Sequence, residues 1–268
     1  GLFLMLNDKV PLHEEEWIKK LATKIFSDIE SLTRDKVGIS RESYGKGESL
    51  AINYLIDLAE EFGFYVEKDD AANLILSLDN SIKTNYILVG SHIDSVPQGG
   101  NFDGLAGVVA GFLLLVNLKE KKIRTSFPIK VLILRGEESA WYGKNCIGSK
   151  ALFGLLTLED LNSTHRSTGD KLSKAMNASG AKLDLIKRSK PLINSEKIEV
   201  FIEIHIEQGP ILVDKDWPIA IVTGIRGNYR HHKIRCKGDA GHSGTIPRYL
   251  RKDSVFAGAD LITRMDDH

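Results

Sequence analysis

Disulfide-forming cysteines, long apolar runs and an excess of charge of one sign are all scarce in this sequence. The only cysteines, Cys146 and Cys236, lie far apart and share no C-x-x-C spacing. They indicate no disulfide framework and suit a reducing compartment. Basic and acidic residues balance at 36 each, for a formal net charge of zero. That balance carries no electrostatic footprint for nucleic acid or an acidic membrane surface, so neither is expected as a partner. The apolar start, Gly1-Leu-Phe-Leu-Met-Leu6, is too short to span a bilayer. It also lacks the basic beginning and long apolar stretch of a signal peptide, and a cytoplasmic protein is the expectation. Internal repeats and low-complexity segments are missing too.

What is present is the profile of a soluble globular protein: 268 residues, 42% hydrophobic and 27% charged. Such a chain can bury a sizeable core and hold one large domain or one and a half. Trp17, Leu21, Ile25, Ile29 and Leu32 recur at three- or four-residue steps and predict an opening helix with these residues on one stripe. Leu50, Tyr54, Leu58 and Phe62 predict a second, with Gly63 in the stop position. Short apolar runs follow at 64–66, 74–78, 86–89, 131–134 and 198–204, with helical stretches over 105–118 and 170–178. Strands alternating with helices imply an α/β sheet layered by helices on both faces. Residues 187–197 read as a connecting loop. After Gly224 come a polar strand-like segment over 229–237, a Gly-rich turn and a helix over about 250–264. One strand and one helix cannot close a second core, so the expectation is a larger domain over 1–224 and the unfinished start of a smaller one over 225–268.

Chemistry gathers at the ends of three of these strands. Tyr86–Val89 runs into Gly90-Ser-His92-Ile-Asp94, and Val131–Leu134 into Arg135-Gly-Glu137-Glu138. The segment from Ile198 alternates, with Ile198, Val200, Ile202 and Ile204 on one face and Glu199, Phe201, Glu203 and His205 on the other. In open α/β sheets ligands bind beyond the carboxyl ends of the strands, so a histidine, a carboxylate pair and a second histidine reach one rim. A fourth segment, Pro97-Gln-Gly-Gly-Asn-Phe-Asp103-Gly104, leads into the apolar helix and puts Asp103 about where that helix begins. Taken singly, each element has an ordinary reading: a satisfied buried histidine, a turn aspartate or N-cap, two solvated glutamates. Their convergence on one rim favours metal binding. Imidazoles with carboxylates suit Zn²⁺, Mn²⁺ or Co²⁺ better than Mg²⁺ or Ca²⁺. A bridging carboxylate would let two such ions sit about 3.5 Å apart.

At these residues the sequence resembles the dinuclear-metal amidohydrolases, which include allantoate amidohydrolase, N-carbamoyl-L-amino-acid hydrolase and β-ureidopropionase. They are relatives of the metal-dependent aminoacylases and carboxypeptidases. The matching stretches are Gly90-Ser-His-Ile-Asp-Ser-Val-Pro-Gln-Gly-Gly-Asn-Phe-Asp-Gly104, Glu137-Glu138, His205-Ile-Glu-Gln-Gly-Pro210 and Gly241-His-Ser-Gly-Thr-Ile-Pro247. The resemblance implies a three-layer zinc-peptidase-like catalytic domain followed by the beginning of an α+β lid and dimerisation domain. It implies that His92, His205 and Asp103 hold one metal, with Asp103 bridging to a second held by Glu138. Asp94 would orient His92, and Glu137 would act as general base, moving a proton from the attacking water to the leaving nitrogen. Gln208 would sit close to the substrate, and His242 would reach it from the lid and polarise the oxyanion. Arg248 and Arg251 read as solvated helix-start residues that could also pair with a substrate carboxylate.

The implied reaction is hydrolysis of a linear carbamoyl or ureido amide of a small-molecule substrate. An aminoacylase or dipeptidase activity, and an inactive binding or assembly module, remain as alternatives. The sequence departs from the family at Ser139-Ala-Trp141-Tyr142, where relatives have Gly and then Arg-Phe. Relatives are also longer and supply a further histidine to the second metal; nothing around His268 matches that motif. The second metal site is therefore expected to be incomplete in this chain, and a homodimer is expected of the full-length protein.

Overall fold

Two amphipathic helices open the chain and cover one face of a mixed sheet. The computed structural model describes residues 12–80, 84–225, 227 and 233–266. By internal packing the chain divides into two units, Gly1–Gly209 and Pro210–His268.

In the first unit, α1 (Leu12–Thr33) buries Ile25 and Ile29 completely. Trp17 and Leu32, expected on the same stripe, stay 43% and 44% exposed because the helix outruns the surface it packs on. Helix α2 (Lys46–Glu61) buries Ala51, Ile52, Leu55, Leu58 and Ala59, so its inward stripe lies one residue round from the expected face. Tyr54 stays at the rim, where its hydroxyl donates to Asp28 at 2.7 Å. Gly63 ends α2 at φ 63°, and the N–H groups of Gly63 and Phe64 turn back to Glu60 and Ala59. This closing pattern needs a residue without Cβ.

The sheet holds β1 (Tyr65–Lys68), β2 (Leu74–Ser77), β3 (Tyr86–His92), β4 (Ile129–Leu134) and β5 (Ile198–Ile202), in the order β1-β2-β4-β3-β5. β3 is parallel to both β4 and β5, while β1 and β2 run antiparallel to their neighbours. Helix α3 (Leu105–Glu120) joins β3 to β4 and lies on the same face as α1 and α2. The core there gathers Ile25, Leu55, Leu76, Phe112, Val131 and Ile133. Each such side chain, fully buried, is worth about 1.5–3 kcal/mol. The opposite face is covered by the end of α4 (Ile147–Leu152) and by Leu192 and Ile193, over Ile75, Leu88 and Leu132. The sheet is thus layered on both faces, as its strand pattern implied. Short helices, α5 (Leu158–Leu161), α6 (Leu172–Ala178) and α7 (Leu183–Ile186), form a satellite core with Trp141 and Tyr142.

Strand β5 departs from expectation. It ends at Ile202, and Tyr86 pairs with Ile198 while Ile87 pairs with Val200, so Glu199 is the extra residue of a bulge. Val200, Phe201 and Ile202 are each more than 40% exposed, although they alternate in direction. β5 is the edge strand of the described sheet; only Ile198, at its start, packs against the Leu88–Leu132 cluster.

In the second unit the described elements are α8 (Ile211–Asp214), a 3-10 turn over Arg248–Leu250 and α9 (Ser254–Asp266). None of its described residues is buried. Of the strand expected over 229–237, residues 229–232 lie outside the described residues. Residues 233–237 form no strand, and among the described residues of this unit there is no partner strand to hydrogen-bond one. His268 also lies outside the described residues. No helix among the described residues is long and apolar enough to cross a membrane.

Candidate metal centre

Three parallel strands deliver the candidate residues to their carboxyl ends. His92 is the last residue of β3, Glu137 and Glu138 follow β4 after the turn at Gly136, and His205 follows β5. Asp103 arrives on the loop between β3 and α3. The Nε2 atoms of His92 and His205 lie 3.3 Å apart. Asp103 Oδ1 is 3.2 Å from His205 Nε2 and 3.7 Å from His92 Nε2. Two ligands about 2.1 Å from one tetrahedral Zn²⁺ stand about 3.4 Å from each other, so these separations match a ligand shell. Glu137 and Glu138 form a second potential ligand group with His92.

A cavity of about 390 Å³ opens over these groups, lined also by Cys146, Glu203 and Gln208. Among the described residues its lining carries four carboxylates, Asp103, Glu137, Glu138 and Glu203, and no lysine or arginine. Burial, followed by the neighbouring charge of Glu137, pushes the Glu138 carboxyl up to about 7. Burial pulls His92 down, but its hydrogen bonds to Asp103 and Asp94 outweigh that and raise it to about 10. Asp103 is held far below the usual carboxylate range by hydrogen bonds to His205 and His92. Crowded carboxylates beside imidazoles that face one another are the electrostatic complement of divalent cations.

Asp94 is the hub beneath this rim. Fully buried, its Oδ1 accepts from the Glu137 N–H at 2.9 Å and its Oδ2 from the Glu138 N–H at 3.0 Å. The Ser43 hydroxyl donates to Oδ2 at 2.6 Å, and His92 Nδ1 lies 3.3 Å from Oδ1. One carboxylate therefore fixes both the imidazole and the backbone of the glutamate pair. The expected role covered only the imidazole.

Gly104 serves the same packing from the other side. At φ 66°, any Cβ there would lie 2.5 Å from the His92 ring. Gln208 donates its amide to Asp103 Oδ2 at 2.8 Å from a left-handed backbone, φ 57°. Cys146, also left-handed, points its thiol at Glu137 Oε1, 3.4 Å away, and burial pushes that thiol up to about 11. His242 lies in the second unit, exposed, where its Nδ1 accepts from the Gly244 N–H at 3.1 Å. Arg251 spends its donors on the carbonyls of Ile246 and Ser243, and Arg248 is exposed.

Several supporting residues gave no signal in the sequence. Buried Glu48 on α2 accepts from Arg135 and from the N–H groups of Tyr44 and Gly136, which sets the turn leading to Glu137. Trp141, at the position where the sequence departs from the family pattern, donates its indole N–H to the Ser95 carbonyl at 2.7 Å. That contact props the loop after His92 and Asp94.

A layered α/β sheet with these groups at the ends of its parallel strands is the architecture of a zinc-peptidase-like catalytic domain. The chain belongs to Peptidase family M20/M25/M40, whose family model matches residues 88–259. It is 34% identical over 233 residues to an N-carbamoyl-L-amino acid amidohydrolase of Geobacillus stearothermophilus, covering 86% of this chain and 56% of that protein. An allantoate amidohydrolase of Escherichia coli is 32% identical over 196 residues, covering 73% of this chain and 46% of that protein. The crystal structure of a hydantoinase/carbamoylase family amidase from Burkholderia ambifaria superposes with a TM-score of 0.75 at 26% identity, covering 92% of this chain and 59% of that one. The chain thus spans about half the length of the curated relatives it matches.

Proposed function

We propose that this chain provides the metal-binding part of an amidohydrolase that cleaves a linear carbamoyl or ureido amide of the N-carbamoyl-amino-acid or allantoate type. The observation that carries the reading is the set of His92, Asp103 and His205 donor atoms at ligand-shell spacing, 3.2–3.7 Å apart, beside the Glu137–Glu138 pair. The names of the matched relatives supply the substrate class.

In this reading His92, Asp103 and His205 would hold one divalent ion, Zn²⁺, Mn²⁺ or Co²⁺, and Glu138 would hold a second. Such ions, when bound, lower the pKa of water towards neutrality and polarise the scissile carbonyl. Glu137 takes the proton of the attacking water and returns it to the leaving nitrogen. Its backbone is pinned by Asp94, and its carboxylate is oriented by the Cys146 thiol. Gln208 contacts the substrate beside Asp103, and His242 stabilises the oxyanion from the smaller domain. A catalytic domain over 1–224 with the beginning of a lid and dimerisation domain over 225–268, a homodimer of the whole protein and a cytoplasmic location belong to the same reading.

The test is a panel of N-carbamoyl-amino acids, allantoate, N-acetyl-amino acids and dipeptides, assayed with the full-length protein and its Glu137→Gln form. Turnover confined to the carbamoyl and ureido compounds, falling by about 10²–10⁴ in Glu137→Gln, is the expected result. Turnover of acetyl or peptide amides alone, or an undiminished variant, would overturn it.

A further inference from the structure

The largest fully buried side chain of the first unit is a cation. Arg41 has no exposed surface, and it makes five hydrogen bonds among the described residues. Each ends on the segment between Ile93 and Asn101. Its Nε donates to the Ile93 carbonyl at 2.7 Å. Its Nη1 and Nη2 donate to the side-chain and main-chain oxygens of Asn101 at 3.0 and 3.3 Å. Its own N–H and C=O pair with the Ser95 hydroxyl and the Ser95 N–H at 2.9 and 3.0 Å. The flanking residues extend the clasp: Ile39 pairs with Gly99 in both directions, and the Ser40 hydroxyl accepts from Gln98.

The clasped segment starts one residue after His92 and ends two before Asp103. Its two ends are thus held by a single planar guanidinium, which can bond several oxygens at fixed angles. Asn101 passes the restraint on to α1 by donating its amide to the Phe26 carbonyl at 3.0 Å. Asp94, inside the segment, is the buried carboxylate on which His92, Glu137 and Glu138 all depend.

We propose that Arg41 is a positioning residue that sets the spacing of the metal ligands by fixing the 93–101 segment between His92 and Asp103. This rests on the metal-centre reading given above. Two effects of Arg41 oppose each other. Its geometry holds Asp103 Oδ1 near the two imidazoles, whereas its positive charge, felt by Asp94 and Asp103, repels an incoming cation. Substitutions that remove the fork while keeping or deleting the charge tell the effects apart.

The experiment measures Zn²⁺ affinity of the metal-stripped chain by competition with a chromogenic chelator, for the parent, Arg41→Lys and Arg41→Met. Thermal unfolding in chelator is run alongside. The expected result is a loss of about 10–100-fold in affinity in both variants, the range seen when partners behind metal ligands are removed. Unchanged affinity in both, or tighter binding in Arg41→Met with parental binding in Arg41→Lys, overturns the proposal. If either variant fails to fold, Asn101→Ala decides, since it removes one of the five bonds. Weaker Zn²⁺ binding by a folded Asn101→Ala protein supports the clasp, and parental binding refutes it. A parent that binds no Zn²⁺ refutes the metal-centre reading itself.

Discussion

Replacing Asp94 by asparagine changes one oxygen to an amino group and leaves the shape intact. In the parent, the two carboxylate oxygens face the N–H groups of Glu137 and Glu138, the Ser43 hydroxyl and the His92 ring. Asparagine can keep its oxygen towards Glu137 and His92, but its amino group then opposes the Glu138 N–H. Ser43 can rotate to accept; a backbone N–H cannot. One hydrogen bond to a charged group, worth about 1.5–3 kcal/mol, disappears, and a buried donor is left unpaired at about 1–3 kcal/mol more. The expected loss is about 4 kcal/mol, a large share of the 5–15 kcal/mol typical of whole proteins. Urea unfolding at pH 7 in chelator, followed by circular dichroism, measures it in the metal-free chain. Burial disfavours the charge of Asp94, but His92 and the other donors outweigh this and hold the carboxyl below its ordinary 3.8. The stabilisation it gives is therefore complete above that value and is lost as pH falls through its lower folded one. The gap between parent and Asp94→Asn should stay constant from pH 5 to 8 and close only in stronger acid. A variant within about 1 kcal/mol of the parent at pH 7 would show that the hub is not what holds the glutamate pair.

Two further predictions concern protons. With His92 raised to about 10, a divalent ion must expel a proton to bind. Zn²⁺ titrations in buffers of different ionisation heat should show about one proton released per ion at pH 7–8. No release would contradict the protonated imidazole. Burial pushes Glu48 up to about 7 against the pull of Arg135, whereas unfolded it returns to 4.5. The folded state then holds the proton more tightly, so this group makes stability fall as pH rises from 4.5 towards 7. Glu48→Gln should flatten that slope; an unchanged slope assigns it to other groups.

The strands that position the candidate site were legible because β3 and β4 are covered on both faces and read as apolar runs. The rim geometry followed from placing His92, Glu137 and His205 at strand ends. Arg41 and Glu48 were invisible for an equally physical reason. Each is a charged residue in a polar stretch whose ordinary reading is a solvated surface. Their partners stand 52 residues away at Ile93 and 88 away at Gly136. Only the folded chain brings them together. Of the short helices around Trp141, α6 falls within the helical stretch expected over 170–178, whereas α4, α5 and α7 were missed because four to six residues carry too little periodicity to show. For α2 the apolar pattern gave the element but not the angle: Tyr54 is large and apolar, yet its hydroxyl keeps it at the edge.

Strand β5 has a consequence beyond its role in presenting His205. An edge bearing Val200, Phe201 and Ile202, each more than 40% exposed, has no further strand paired to its outer side among the described residues. Such an edge is a template for any passing extended chain, including another copy of itself. Ile198-Glu-Val-Phe-Ile202 contains no lysine or proline, which leaves the bulge and charge of Glu199 as its protection. The strand that carries a metal-ligand candidate to the rim is therefore also an edge prone to aggregation, so whatever covers that edge protects solubility and His205 together.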